Sequence, residues 1–424
     1  MKPSVAPSGR FIDTRRPSMP GSTTTPSGRF PPRLLGGLQY RPFGHPILVM
    51  KVAAIAGAGF SGAVMARQLA EAGWKVDVFE PRSHVAGNCH TERESETGVL
   101  LHRYGPHIFH TADEEVWAFV RRFGDFKPFR HKVRATIADG KVFGLPINLT
   151  TINDFFGKSL NPEEARAFVA GLGEGGPGEP ANFEEQGLRF LGRDLYRAFF
   201  EGYTRKQWGM DPKLLPASIL KRLPVRFDHN DEYFNHPHQA MPAAGYTPII
   251  EAMLAAPGVT VHLRRPFCRS QAGTYDHVFY TGPLDGYFDY DLGRLAYRTL
   301  DFQHSRAQGD YQGCAVMNYC DQSVPYTRIT EHKHFSPWES HEQTVVSREF
   351  SRPASAGDDP LLEAYVRRAR EEKGVTFVGR LATYRYLDMD VCIGEALRCA
   401  RLFLESRQQG SGMPAFVKDP LLHA

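Results

Sequence analysis

The hexapeptide Gly57-Ala58-Gly59-Phe60-Ser61-Gly62 is a GxGxxG, and its flanks restrict the fold more than any other part of the chain. An apolar run at 51–56 precedes it and predicts a short, buried strand. Apolar residues at helical spacing follow over 61–72, and 75–80 reads as a second buried strand. Strand, glycine turn, helix and strand make a β-α-β unit, and parallel sheets built from such units are covered on both faces. Gly57 permits the tight turn, Gly59 lets the backbone approach a pyrophosphate, and Gly62 lets the helix pack closely on the strand. The helix start at Phe60-Ser61 offers unpaired N–H groups and a positive dipole end to phosphates. Glu80 ends the second strand about 20 residues on, where a carboxylate can bind ribose hydroxyls. Together these features predict a dinucleotide site.

Which dinucleotide it holds is argued from the rest of the chain. Arg82, Gly87 and Asn88 lie just beyond Glu80 and suit continued wrapping around a long cofactor. Near the other end, Gly379-Arg380 follows a short apolar strand at 375–378, and Asp388-Met389-Asp390 precedes an amphipathic helix at 392–405. Two helix ends, one from each end of the chain, are easier to justify for FAD than for an exchanging nicotinamide. Between them, 114–122 reads as helix and 131–142 as strand with a turn at Asp139-Gly140. Residues 151–223 are dominated by helical patterns, interrupted by a Gly/Pro/Glu loop at 171–180. Strand character returns at 259–263, 277–280, 315–319 and 344–350.

Composition excludes other classes. A net charge of +4 over 424 residues does not suggest a nucleic-acid binder. No apolar run approaches the roughly 18 residues of a membrane-spanning helix, so no membrane insertion is expected. The six cysteines are scattered, with no CxxC pair and no metal-ligand spacing, which fits a reducing, cytoplasmic setting. Residues 1–49 are rich in Pro, Ser, Thr, Gly and Arg, with Asp13 the only acid, and predict a disordered extension ahead of Met50.

Three longer motifs are more specific. They are Gly105-Pro106-His107-Ile108-Phe109-His110-Thr111, Gly202-Tyr203-Thr204-Arg205-Lys206-Gln207-Trp208-Gly209, and the stretch from Gly379-Arg380-Leu381 through Tyr386-Leu387-Asp388-Met389-Asp390. In that order, between about 51 and 406, the chain resembles the UDP-galactopyranose mutase family. The resemblance implies an α/β fold: a Rossmann-like FAD-binding domain, a helical insertion domain and an antiparallel β-sheet domain. The FAD-binding domain is expected from 50–130, 244–285 and 353–407. The sheet domain is expected from 131–150, 226–243 and 286–352, and the helical domain, with a mobile loop, from 151–225. The tail at 408–424 is expected to fray.

The resemblance also implies an isomerase that interconverts UDP-galactopyranose and UDP-galactofuranose without net redox change, by covalent catalysis through N5 of reduced FAD. Galactofuranose production for cell-wall polysaccharide, a separate flavin reductant and a homodimer come with it. Phe199, Phe200, Tyr203 and Trp208 match an aromatic pocket for uracil. Arg222 matches a loop arginine that closes over the diphosphate, Arg380 a second diphosphate arginine, and Tyr386 a tyrosine bonding the same group. Tyr233, Asn318 and Arg328 match substrate-pocket positions, and His107 the histidine beside the flavin. Gly379, Asp388 and Met389 join the FAD contacts.

Two departures stand out. Ala86 precedes Gly87 where the family usually has glycine, which is accommodated if its φ is negative. Asp358-Asp359-Pro360 runs straight into Leu361-Leu362-Glu363-Ala364-Tyr365, skipping a Tyr-Tyr-Pro segment and one phosphate-binding hydroxyl. The alternatives are therefore an amine-oxidase-like FAD oxidoreductase and a catalytically impaired UDP-sugar binder.

Overall fold

The computed structural model describes residues 51–176, 178–222, 225–353 and 359–423. The predicted extension at 1–49 lies outside the described residues. The GxGxxG unit forms as its pattern dictates: strand Val52–Ala56, helix Phe60–Glu71 and strand Lys75–Glu80. They nucleate a five-stranded parallel sheet in the order Val259–Leu263, Lys75–Glu80, Val52–Ala56, His277–Tyr280, Val375–Phe377. The central strand is buried along almost its whole length. Apolar residues of the first helix (Val64, Met65, Leu69) share one core with Ile393, Leu397 and Phe403 of the long helix Met389–Gln409. That helix contains the predicted 392–405 and starts three residues earlier.

A second sheet has six strands, ordered Arg298–Gln308, Gln343–Pro353, Arg328–Glu331, Val316–Tyr319, Val133–Thr136, Val142–Leu145. The first two pair antiparallel over eleven residues each. The sheet is not antiparallel throughout, because Val316–Tyr319 runs parallel to Val133–Thr136. Between these two strands the chain makes the helical region. Its helices start at side-chain caps: Asn148, Asn161 with a reciprocal Glu164 bond, and Asn182. The helix Phe183–Leu195 is broken at Gly192, where φ is +72° and a Cβ would meet Leu172 Cβ at 2.6 Å. A π-helical turn, Tyr196–Glu201, then leads into the helix Gly202–Trp208. No helix among the described residues is long and apolar enough to cross a membrane.

The C-terminal segment departs from the expected fraying. Phe377 N–H donates to Ala415 C=O at 2.7 Å, Thr376 Oγ1 donates to Pro414 C=O at 2.9 Å, and the Phe377 and Phe416 rings stack at 5.3 Å. Its apolar residues, too few to give a periodic signal, are used against the edge of the parallel sheet.

Three histidines are buried around Ser347 in the second sheet. His304 Nδ1 and His332 Nε2 lie 2.7 and 2.6 Å from Ser347 Oγ, and His332 stacks near His102 at 5.9 Å. Burial pushes His102 from 6.5 down to about 3, His304 down to about 4, and His332 well below its ordinary value. All three are neutral when folded, whereas the unfolded chain protonates them below about 6.5. Their contribution is complete above that pH and is lost as pH falls toward 4. In urea unfolding these three should contribute up to about 4 kcal/mol per pH unit to the fall in stability in this window, and the buried His131 and His277 add to it in the same sense, before most carboxylates titrate. A flat profile from pH 6.5 to 5 would contradict neutral burial.

Ala86 also differs from expectation, since its φ is +73° and not negative. Left-handed backbone costs a non-glycine residue roughly 1–2 kcal/mol, against about 0.8 kcal/mol for the buried methyl. Ala86→Gly should raise stability by no more than about 1 kcal/mol in urea titration of the protein, and Ala86→Val should lower it.

Candidate functional site

The glycine turn at the head of the parallel sheet is built by close backbone approach. At Gly57 (φ +111°) a Cβ would fall 2.2 Å from Thr281 Oγ1, and at Gly62 it would fall 1.9 Å from Gly57 C=O. Gly87 crosses the same turn: a Cβ there would lie 3.3 Å from Gly59 Cα. Gly379 (φ +89°) presses on Ser61, whose Oγ would be 2.6 Å from an added Cβ. The two long helices thus start beside one another. Neither the cap residue Gly59 nor Asp388 satisfies a first-turn N–H with its side chain. Met389, first in its helix, accepts a contact from Cys89 Sγ at 3.5 Å, one residue from Asn88. Such a bare backbone cradle at two helix N-termini fits a dinucleotide pyrophosphate.

Glu80 is buried, and its two oxygens accept the N–H groups of Ala58 and Arg82, each at 3.0 Å. The carboxylate therefore braces the turn, with its remaining lone pairs available to a ribose. Arg82 lies 4.7 Å over the Tyr104 ring and donates to Asn88 Oδ1 at 2.9 Å. Phe60 is buried edge-on to Tyr246 at 5.9 Å, so its side chain packs the core.

Arg380 follows directly from Gly379. Its guanidinium is exposed and stacks 4.2 Å over the Tyr386 ring. His107 faces it: burial, and then the Arg380 charge, push the imidazole below its ordinary pKa. Nδ1 of His107 lies 2.9 Å from Gly105 C=O, which can only accept. The ring proton therefore sits on Nδ1, and Nε2 is an acceptor.

Tyr386 and Asp388 in turn act on Tyr233, which also feels Arg328. Arg328 donates from Nη2 to Tyr203 Oη at 2.9 Å. Its Nε lies 3.2 Å from Glu349 Oε1 but off the hydrogen-bond direction, so this contact is Coulombic. Burial opposes the charge on Arg328, and Glu349 together with the Tyr203 and Tyr233 phenols more than restores it. Burial pushes the Tyr203 phenol up to about 12, so it stays protonated. Asn318, opposite Arg328 in the strand register, has a buried Oδ1 with no partner among the described residues. Tyr203, Tyr233, Asn318, Arg328, Tyr386, Arg380 and His107 are thus linked from the helical region to the glycine cradle.

Other expected residues fall elsewhere. Phe199 is 2% exposed and packs on Phe143 and Phe155 at 5.4 and 5.6 Å, leaving no face for a base. The π-helical turn sends it inward, and Phe200, Tyr203 and Trp208 remain partly buried. Arg222 ends a short helical turn, Ala217–Arg222, and its side chain lies outside the described residues. Tyr365, the first tyrosine after the skipped segment, is fully buried, donating to Gly293 C=O at 2.7 Å, and cannot replace the missing phosphate ligand. Glu349 was not anticipated. A glutamate in the strand expected at 344–350 was the available signal.

Residues 198–386 match the family described as UDP-galactopyranose mutase, and 55–123 match an NAD(P)-binding Rossmann-like domain. A "Probable UDP-galactopyranose mutase" of Klebsiella pneumoniae is 54% identical, over 85% of this chain and 97% of its own. A dTDP-fucopyranose mutase of Escherichia coli is 48% identical, over 84% of this chain and 99% of its own. The crystal structure of a reduced UDP-galactopyranose mutase superposes with a TM-score of 0.65 at 16% identity, covering 84% of this chain and 96% of that one. A putrescine oxidase superposes at 0.52 with 13% identity, covering 84% and 99%, and shares the fold alone. The chain is an enzyme of the UDP-galactopyranose mutase family.

Proposed function

We propose that the protein interconverts UDP-galactopyranose and UDP-galactofuranose, with reduced FAD in the glycine cradle. The observation that carries this reading is the position of Arg380, which leaves the cradle at Gly379, stacks on Tyr386 and bears on His107. A cation at that junction meets the diphosphate of a sugar nucleotide whose sugar points toward the flavin. Gly57, Gly59, Gly62, Gly87 and the helix starts at Phe60 and Met389 would hold the cofactor. When bound and reduced, it would supply a nucleophilic N5 for the anomeric carbon, which fits a site whose own side chains include no nucleophile–base pair.

The protein's part is positioning and electrostatics. Arg380, with Arg222 from its loop, stabilises the charge that develops on the departing diphosphate. Tyr203 accepts from Arg328 and keeps its own proton to donate to the nucleotide. Phe200 and Trp208 offer rings to the base; stacking is worth roughly 1–3 kcal/mol. His107 Nε2 presents an acceptor beside the flavin and does not carry a second proton at neutral pH. A flavin reductant must act first, and the protein works as a homodimer in the cytoplasm.

The test is anaerobic turnover of UDP-galactofuranose by the yellow protein, with and without dithionite. Conversion should require reduction, and Arg380→Ala should lower kcat about 100-fold or more while flavin stays bound. Undiminished turnover by Arg380→Ala would overturn the assigned role. A dTDP-linked 6-deoxysugar run in parallel decides the substrate, and faster conversion of it would replace the sugar named here.

A further inference from the structure

Lys206 belongs to none of the roles above, yet its ammonium has the most crowded set of acceptors among the described lysines. Nζ donates to the backbone carbonyls of Tyr319, Asp321, Val324 and Tyr326 at 2.7, 2.8, 3.0 and 2.9 Å. Three protons serve four acceptors, so at least one is shared. The four carbonyls come from the last residue of the strand carrying Asn318 and from the loop after it, together 319–326, which leads to the strand that opens with Arg328.

A second feature of the same helix face points the same way. Gly202 precedes Lys206 by four residues, one helical turn, and so lies on the same face. A Cβ at Gly202 would fall 2.3 Å from Cys320 C=O. The bare glycine lets the loop backbone come against the helix, and the lysine one turn on holds it there. Gln207 C=O accepts from Ser351 Oγ at 2.6 Å, tying the helix to the neighbouring strand. The circuit closes through Arg328 Nη2, which donates to Tyr203 Oη, one residue from Gly202.

We infer that Lys206 is a positioning residue: it clamps the 319–326 loop to the Gly202–Trp208 helix and so sets Tyr203, Asn318 and Arg328 before the nucleotide arrives. The ligand's identity rests on the proposed function, whereas the clamp does not. Burial draws the ammonium down to about 8, while Cys320 and Asp321 act in the opposite sense. Cys320 is itself pushed up to about 12 by burial and is a neutral thiol, so Asp321 supplies the facing negative charge. At neutral pH the clamp is charged, and hydrogen bonds from a charged donor are stronger than neutral ones.

The experiment uses the flavin-loaded enzyme with Lys206→Met, Lys206→Arg, Tyr203→Phe and the double variant Lys206→Met/Tyr203→Phe. Without ligand, amide exchange over 319–326 should rise about tenfold or more in Lys206→Met, with the flavin spectrum unchanged. Kd for UDP, read by tryptophan quenching, and KM for UDP-galactofuranose should each rise about tenfold, with kcat within about twofold of the parent. Lys206→Arg, which keeps the charge but not the compact geometry, should lie between the two. In the Tyr203→Phe background the Lys206→Met penalty on UDP binding should shrink, because both act through one circuit. Unchanged exchange in both Lys206 variants would overturn the clamp. Faster exchange with parental Kd and KM, or penalties that simply add, would overturn the positioning role. Failure of the parent to bind UDP would instead overturn the ligand assignment; the clamp would then stand or fall on exchange alone, and Lys206→Arg decides it should Lys206→Met not fold.

Discussion

Gly62 has no room for a side chain, because the Gly57 carbonyl would lie 1.9 Å from its Cβ, and this contact fixes the first helix against the strand it follows. Much else depends on that placement. The helix start becomes the surface against which Gly379 packs at Ser61, and Gly87 reaches the same turn through Gly59. Gly379 then determines where Arg380 begins, and the Met389–Gln409 helix must start alongside. A methyl group at Gly62 would therefore disturb segments more than 300 residues downstream as well as its own turn. Close backbone packing transmits displacement because protein interiors have few voids to absorb it.

The two halves of the site use different physics. The cofactor side is mostly backbone: turns with positive φ, bare helix starts and one carboxylate that accepts two amides. The side proposed for the nucleotide is built from side chains in a charged and aromatic network, with Arg328 and Glu349 at its centre. Burying that pair carries a desolvation cost which their attraction and the surrounding hydrogen bonds offset. Such a pair contributes little net stability, and Arg328 is held where it donates to Tyr203.

This division explains what could be read from sequence. The glycine turn was legible because its requirements are local: three glycines, a strand, a helix and an acid at fixed spacing. Tyr203, Tyr386 and Arg380 stood out through long motifs, and Tyr233 and Arg328 only through the resemblance those motifs carry; the structure links the five by contacts and charge. Phe199 came from the resemblance alone, and its burial at a π-helical turn could not be read from the sequence, because such a turn adds a residue that α-helical spacing does not anticipate. The condition set for Ala86, a negative φ, is not met, and one alanine does not reveal the sign of its φ. Lys206 sat in plain view within a motif, but its acceptors are 113 to 120 residues away and are backbone atoms, which no side-chain pattern betrays.

The segment around Ala415 and Phe416 has a consequence for the molecule's behaviour in company. Val375–Phe377 is the last strand of the parallel sheet, and an outermost strand displays unpaired amides and carbonyls that can recruit a strand from another molecule. The C-terminal segment occupies that rim through the bridge between Phe377 and Phe416. It acts as a selvedge, closing the weave on the side where the sheet would otherwise be open to self-association.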